Sequence, residues 1–106
     1  MDSDAAFALA DLDALGQAAL LSAGELSAAE LLEAAILRTE ATRGLNAVIA
    51  DLFDRAREQA AALDRSGALR AAEAAPGSLA GVPFLLKDLS ASLAGAPERM
   101  GSRALA

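Results

Sequence analysis

The run Gly81-Val82-Pro83-Phe84-Leu85-Leu86, closed by Lys87 and Asp88, constrains this chain more than any other feature. Val82 to Leu86 is apolar on both faces, the pattern of a strand inside a sheet that helices cover on either side. Pro83 is tolerable there only near the start of the strand, because it has no N–H to give to a ladder. Such a strand needs partners. The rest of the chain offers one, Asn46-Ala47-Val48-Ile49-Ala50, short and β-branched at its middle. Two strands do not make an independent sheet. The remaining sequence reads as helices, so the expectation is an α/β chain of N-terminal helices and first strands, with strands at about 46–50 and 82–87.

The helices carry their own punctuation. Asp13 can cap a helix over 14–23, and Gly24 suits the left-handed residue that closes many helices. Ser27-Ala28-Ala29-Glu30 has the spacing of a capping box, with Leu26 and Leu31 placed as a hydrophobic staple. Leu31, Leu32, Ala35 and Ile36 then give an apolar stripe over a helix at about 28–43, closed by Arg43-Gly44. A third helix is predicted over 52–65, capped by Asp51, with Leu52, Phe53, Ala56, Ala60 and Leu63 on one face. Ser66-Gly67 ends it. The alanine-rich stretch from Leu69 to Ser78, with Pro76-Gly77, reads as a fraying tail and loop.

Composition removes whole classes of chemistry. The chain has 106 residues, a formal charge of −6, no Cys and no His. Thiol nucleophiles, disulfides, the common zinc sites and a histidine base are excluded. The acidic balance argues against nucleic acid or an anionic membrane as partner. Met1-Asp2-Ser3-Asp4 is acidic where a signal peptide is basic, and no apolar stretch approaches the roughly 18 residues of a membrane span. A cytoplasmic location is the expectation.

Lys87 is the only lysine, and every other basic side chain is Arg. Arg stays protonated in proteins, whereas a lysine amine can lose its proton when its surroundings disfavour the charge. Lys87 is therefore the candidate base. Read by itself, a lysine closing an apolar run is a surface residue with its stem on apolar neighbours. Asp88 reads as an acceptor holding local backbone. Ser102 reads equally as a turn or cap serine and as a wall of a pocket. Ser27 and Glu30 are given capping only. Phe7, Phe53 and Phe84 are the only aromatics, too few for a stacking surface.

The context of Lys87 resembles the amidase signature family. Gly81-Val82-Pro83-Phe84-Leu85-Leu86-Lys87-Asp88 is similar to that family's lysine-bearing strand, and Gly101-Ser102-Arg103-Ala104-Leu105 to the glycine-serine segment after it. Asp13-Ala14, Gly24-Glu25-Leu26-Ser27, Glu30-Leu31 and Leu45-Asn46-Ala47-Val48-Ile49 match its upstream part in order and spacing. The resemblance runs from about Asp11 to Leu105. It implies a single amidase domain, of which residues 1–106 are the N-terminal part, a mixed sheet covered by helices and truncated before the catalytic serine loop. Details near Asn46-Ala47-Val48-Ile49 and Phe84-Leu85-Leu86 lean toward members hydrolysing nylon-type cyclic or aryl amides.

The resemblance further implies a Ser-cisSer-Lys triad hydrolysing a carboxylic amide C–N bond, with Lys87 as general base and Ser102 as a substrate-binding residue. It implies no cofactor and no metal. The partner is a small-molecule amide, with a homo-oligomer of the full-length protein compatible with it. The two serines belong in a Gly-Gly-Ser-Ser-Gly-Gly-like loop, and no serine of this chain stands between paired glycines. The segment alone is therefore expected to be inactive. Glu98-Arg99-Met100 departs from the family, which usually carries two threonines after the proline. Two alternatives stay open: the glutaminase-type subunit of a glutamine-dependent amidotransferase, and a non-catalytic helical interaction module or degenerate remnant.

Overall fold

A computed structural model describes residues 1–71, 77–89 and 92–105. Among the described residues five α-helices follow one another: α1 (Ser3–Ala8), α2 (Ala14–Ser22), α3 (Ala28–Ala41), α4 (Phe53–Ser66) and α5 (Ala68–Ala71). Short 3-10 turns lie at Leu9–Asp11, Arg43–Leu45 and Arg103–Leu105. Among the described residues no single helix is long and apolar enough to cross a membrane.

Local chemistry explains most helix ends. The Asp2 carboxylate accepts from Ala5 N–H at 2.8 Å and opens α1, and Asp13 does the same for α2 through Gly16 N–H at 2.7 Å. The capping box at α3 is complete: Ser27 Oγ accepts from Glu30 N–H at 3.1 Å, and Ser27 N–H donates to Glu30 Oε2 at 2.9 Å. A second carboxylate arrives from far along the chain. Asp64 of α4 accepts from Ala28 N–H at 2.8 Å and Ala29 N–H at 3.0 Å, so free amides of the first turn of α3 end on the neighbouring helix. The cap of α4 differs from expectation. Leu52 holds the N-cap position without a side-chain bond, because Asp51 pairs with Arg43 at 2.7 Å.

The helices close around one small core. Leu21, Ala28, Leu31, Ala60 and Leu69 are buried together, with Leu9, Leu26, Leu32, Leu63 and Val82 packed against them. Leu31 is fully enclosed. Helix α3 packs against both α1 and α4, and α5 bridges α2 and α4. Arg38 ties α1 to α3 by donating to Ala6 C=O at 2.6 Å, and Arg57 grips Glu33 across α3 and α4 with donor distances of 2.7 and 3.3 Å.

The expected α/β architecture is corrected here: the fold is helical, and among the described residues there is no strand. At 46–50, Asn46 turns left-handed (φ 54°) and its amide bonds back to Arg43 C=O at 2.9 Å, so the chain enters the segment from a turn. At 82–87, Val82 N–H bonds to Leu79 C=O at 3.1 Å, and Pro83 has no donor. Neither segment meets a ladder partner, and an unpaired strand has nothing to hold it. Helices over 14–22, 28–41 and 53–66 differ from their expected spans by a residue or two at the ends. Part of the expected tail from Leu69 is helical, as α5. Residues 72–76 of that stretch lie outside the described residues.

Candidate active site

Gly81 is the point where the lysine-bearing run leaves the core. Its φ is +84°, a conformation costly for residues with a Cβ, and a Cβ there would meet Leu21 and Leu69 side-chain carbons at 3.0 Å. Val82 still packs on the core cluster. Beyond it the run emerges: Phe84 is 80% exposed, Leu85 75% and Leu86 45%. Lys87 is exposed as well, and among the described residues it makes no ion pair.

Asp88 turns the chain back toward itself. Its Oδ1 accepts from Arg99 N–H at 2.9 Å. The Arg99 amide, seconded by those of Met100 and Gly101 and by the Arg99 charge, holds the Asp88 carboxyl below the usual carboxylate range, against a smaller opposing effect of desolvation. Oδ2 is out of solvent and forms no hydrogen bond of good geometry, so the Met100 and Gly101 amides act on the carboxylate by proximity more than by completed bonds. The Arg99 to Ser102 segment is a tight turn, with Met100 (φ 50°) and Gly101 (φ 71°) both left-handed and Ser102 N–H donating to Arg99 C=O at 2.8 Å. Ser102 Oγ accepts from Ala104 N–H at 3.2 Å, across the start of the last 3-10 turn.

The structure thus brings the Lys87-Asp88 end of the run to the turn that leads into Ser102, through the Asp88 to Arg99 bond. Two further ties fasten the intervening loop. Arg55 of α4 donates to Ala94 C=O at 2.9 Å, and Ser92 Oγ donates to Glu98 Oε2 at 2.6 Å. A shallow hollow of about 460 Å³ lies between the start of α4 and Gly95, lined by Asp51, Phe53, Asp54, Arg55 and Arg57. Lys87 and Ser102 are not part of it. Three of its charged walls are already in ion pairs: Asp51 with Arg43, and Arg57 with Asp54 and Glu33. Among the described residues no three metal-ligating side chains converge.

Reading along the chain misses Asp64 and the Arg99–Gly101 amides. Both act on partners distant in sequence, 35 and 36 residues away for Asp64 and 11 for Asp88 and Arg99, where local spacing carries no signal.

The family model for amidases matches residues 30–106, which include Lys87, Asp88 and Ser102. The 6-aminohexanoate-cyclic-dimer hydrolases of Pseudomonas sp. (strain NK87) and of Paenarthrobacter ureafaciens are each 46% identical over 79 residues, 74% of this chain and 14% of theirs. A glutamyl-tRNA(Gln) amidotransferase subunit of Deinococcus radiodurans is 43% identical over 86 residues, 81% of this chain and 17% of its own. The matched part of the chain therefore spans about one seventh to one sixth of the length of these relatives. No solved structure matches it significantly.

Proposed function

Because this chain belongs to the amidase family, we propose that it is the lysine-bearing segment of a hydrolase that cleaves a carboxylic amide C–N bond. The observation that carries this is a family match running through Lys87 and its apolar run over residues 30–106. Lys87 is the general base. As a free amine it takes a proton, through a bridging serine, from a nucleophilic serine whose oxygen then bonds to the amide carbonyl carbon. The C–N bond breaks, the leaving nitrogen takes the proton, and water resolves the acyl-enzyme ester to acid and free serine. Ser102 lines the substrate pocket.

Two conditions attach to this chemistry. The serine pair comes from residues other than these 106, none of whose serines stands between paired glycines. The nucleophile and the amide have to meet Lys87 in a site closed to bulk water, so the exposed Phe84-Leu85-Leu86-Lys87 run has to be covered before Lys87 can serve as base. The isolated chain is accordingly inactive. A small-molecule amide in the cytoplasm, hydrolysed without a cofactor, completes the proposal.

The substrate class is drawn from the relatives. The 46% identity to 6-aminohexanoate-cyclic-dimer hydrolases supports a secondary, nylon-type amide. The 43% identity over 86 residues to the amidotransferase protein supports a second reading, release of ammonia from glutamine. The full-length protein incubated with 6-aminohexanoate cyclic dimer, and separately with glutamine, decides between them. New primary amine from the dimer is the expected result, ammonia from glutamine favours the second reading, and inertness toward both and toward simple aryl amides contradicts a hydrolase.

A further inference from the structure

Asp88 follows Lys87 directly, yet the two side chains serve different ends. Lys87 makes no ion pair among the described residues, so Asp88 is not its counter-ion. Asp88 reaches forward along the chain instead, taking the Arg99 amide on Oδ1 at 2.9 Å while Oδ2 lies out of solvent with no completed bond. The amides of Met100 and Gly101 come next to the same carboxylate. Successive N–H groups turned inward by left-handed residues form a concavity suited to an anion. Here the anion is part of the protein.

The turn needs a holder. Met100 carries a Cβ, which disfavours its left-handed φ of 50°. The turn in turn sets the place of Ser102, because Ser102 N–H bonds to Arg99 C=O at 2.8 Å and Ser102 Oγ caps Ala104 N–H at 3.2 Å. Ser102 thus sits two bonds of the network from the residue next to the base. We infer that Asp88 is a positioning residue: its carboxylate fills the amide nest of Arg99, Met100 and Gly101 and so fixes the Ser102 wall beside the Lys87 end of the run. The consequence for catalysis rests on the amide-hydrolase reading, while the nest itself does not.

Two measurements test it separately. Asp88 faces those three amides and the Arg99 side chain; Glu98, the nearest other carboxylate in sequence, is engaged by Ser92. In amide NMR spectra of the present chain titrated with acid, the Arg99, Met100 and Gly101 signals are expected to move together, with a midpoint below that of the exposed carboxylates. Asp88→Asn removes that step. Three independent midpoints, or an unchanged step in the variant, overturn the nest. In the full-length hydrolase, Asp88→Asn is expected to raise KM about tenfold with kcat within about twofold of wild type, and Asp88→Glu to recover part of the loss. A fall in kcat at unchanged KM is the signature of mere loss of folded protein, and it overturns the positioning role. A wild-type protein that turns over no amide removes the hydrolase reading, and the spectra still decide the nest.

Discussion

The pair α3–α4 and the run from Leu79 to Leu89 are both rich in large apolar side chains, yet they meet opposite fates. In the helical pair, Leu31 is fully enclosed and both ends of α3 have partners for their backbone groups. In the run, Leu79, Phe84, Leu85, Leu86 and Leu89 are all 45% exposed or more. The difference is one of range. A helix satisfies its backbone within itself, so a few neighbours suffice to bury one face. A run that is apolar on both faces needs cover on both, and the described residues do not provide it. The chemistry that the core organises is therefore structural, and the candidate base stands at the edge of an exposed apolar segment.

Truncation inside the helical pair is the severest test of that contrast. Leu31→Ala is expected to cost about 2–5 kcal/mol, read from the denaturant midpoint, because a fully buried leucine leaves a cavity as well as lost transfer energy. A cost below about 1 kcal/mol would mean that the core is fluid. Asp64→Ala comes next, at about 1–2 kcal/mol, since it strips acceptors from two amides at the start of α3. Exchange protection of Ala28 and Ala29 amides should fall first, and unchanged protection there would refute the interhelical cap.

The ion pair across the same two helices is worth less. The bond from Arg57, with its charge, lowers the pKa of Glu33 against a small desolvation effect. A carboxylate depressed in the folded state stabilises above its unfolded pKa of about 4.3, and that contribution fades as pH falls through the lower folded value. Because both groups are about half exposed, Glu33→Gln should cost under about 1 kcal/mol at pH 7 and flatten the stability profile below pH 4. An equal cost at pH 2 and pH 7 would assign the effect to something other than the pair. At the bottom of the scale, Phe84→Ser should change stability by no more than about 0.5 kcal/mol, the ordinary range for exposed positions. A loss matching Leu31→Ala would erase the distinction between the two regions.

Legibility along the chain obeys the same division. The Asp13 cap, the Ser27-Glu30 box and the left-handed Gly24 and Gly67 are local devices, and each stands where spacing puts it. Asp2 is legible by the same rule but reads first as an acidic start, which hides α1. Asp51 illustrates competition: as a cap it would satisfy α4, but Arg43 is held by both Glu40 and Asp51 and stacks over Phe53 at 5.7 Å. The expected strands fail because periodicity reports which faces are apolar and says nothing about whether a partner is present. At the candidate site, Lys87 stands out by residue type and Ser102 only by the family resemblance of the segment around it, whereas the Asp88 clamp on Arg99 depends on a fold-back across 11 residues.

Acyl-enzyme formation by the full-length protein tests most directly the proposal that Lys87 is the base of an amide hydrolase. In a single turnover with an activated aryl amide, Lys87→Ala is expected to slow acylation by about 10²–10⁴-fold or more while substrate binding changes little, and Lys87→Arg to do no better. Acylation at the wild-type rate in either variant would contradict the account.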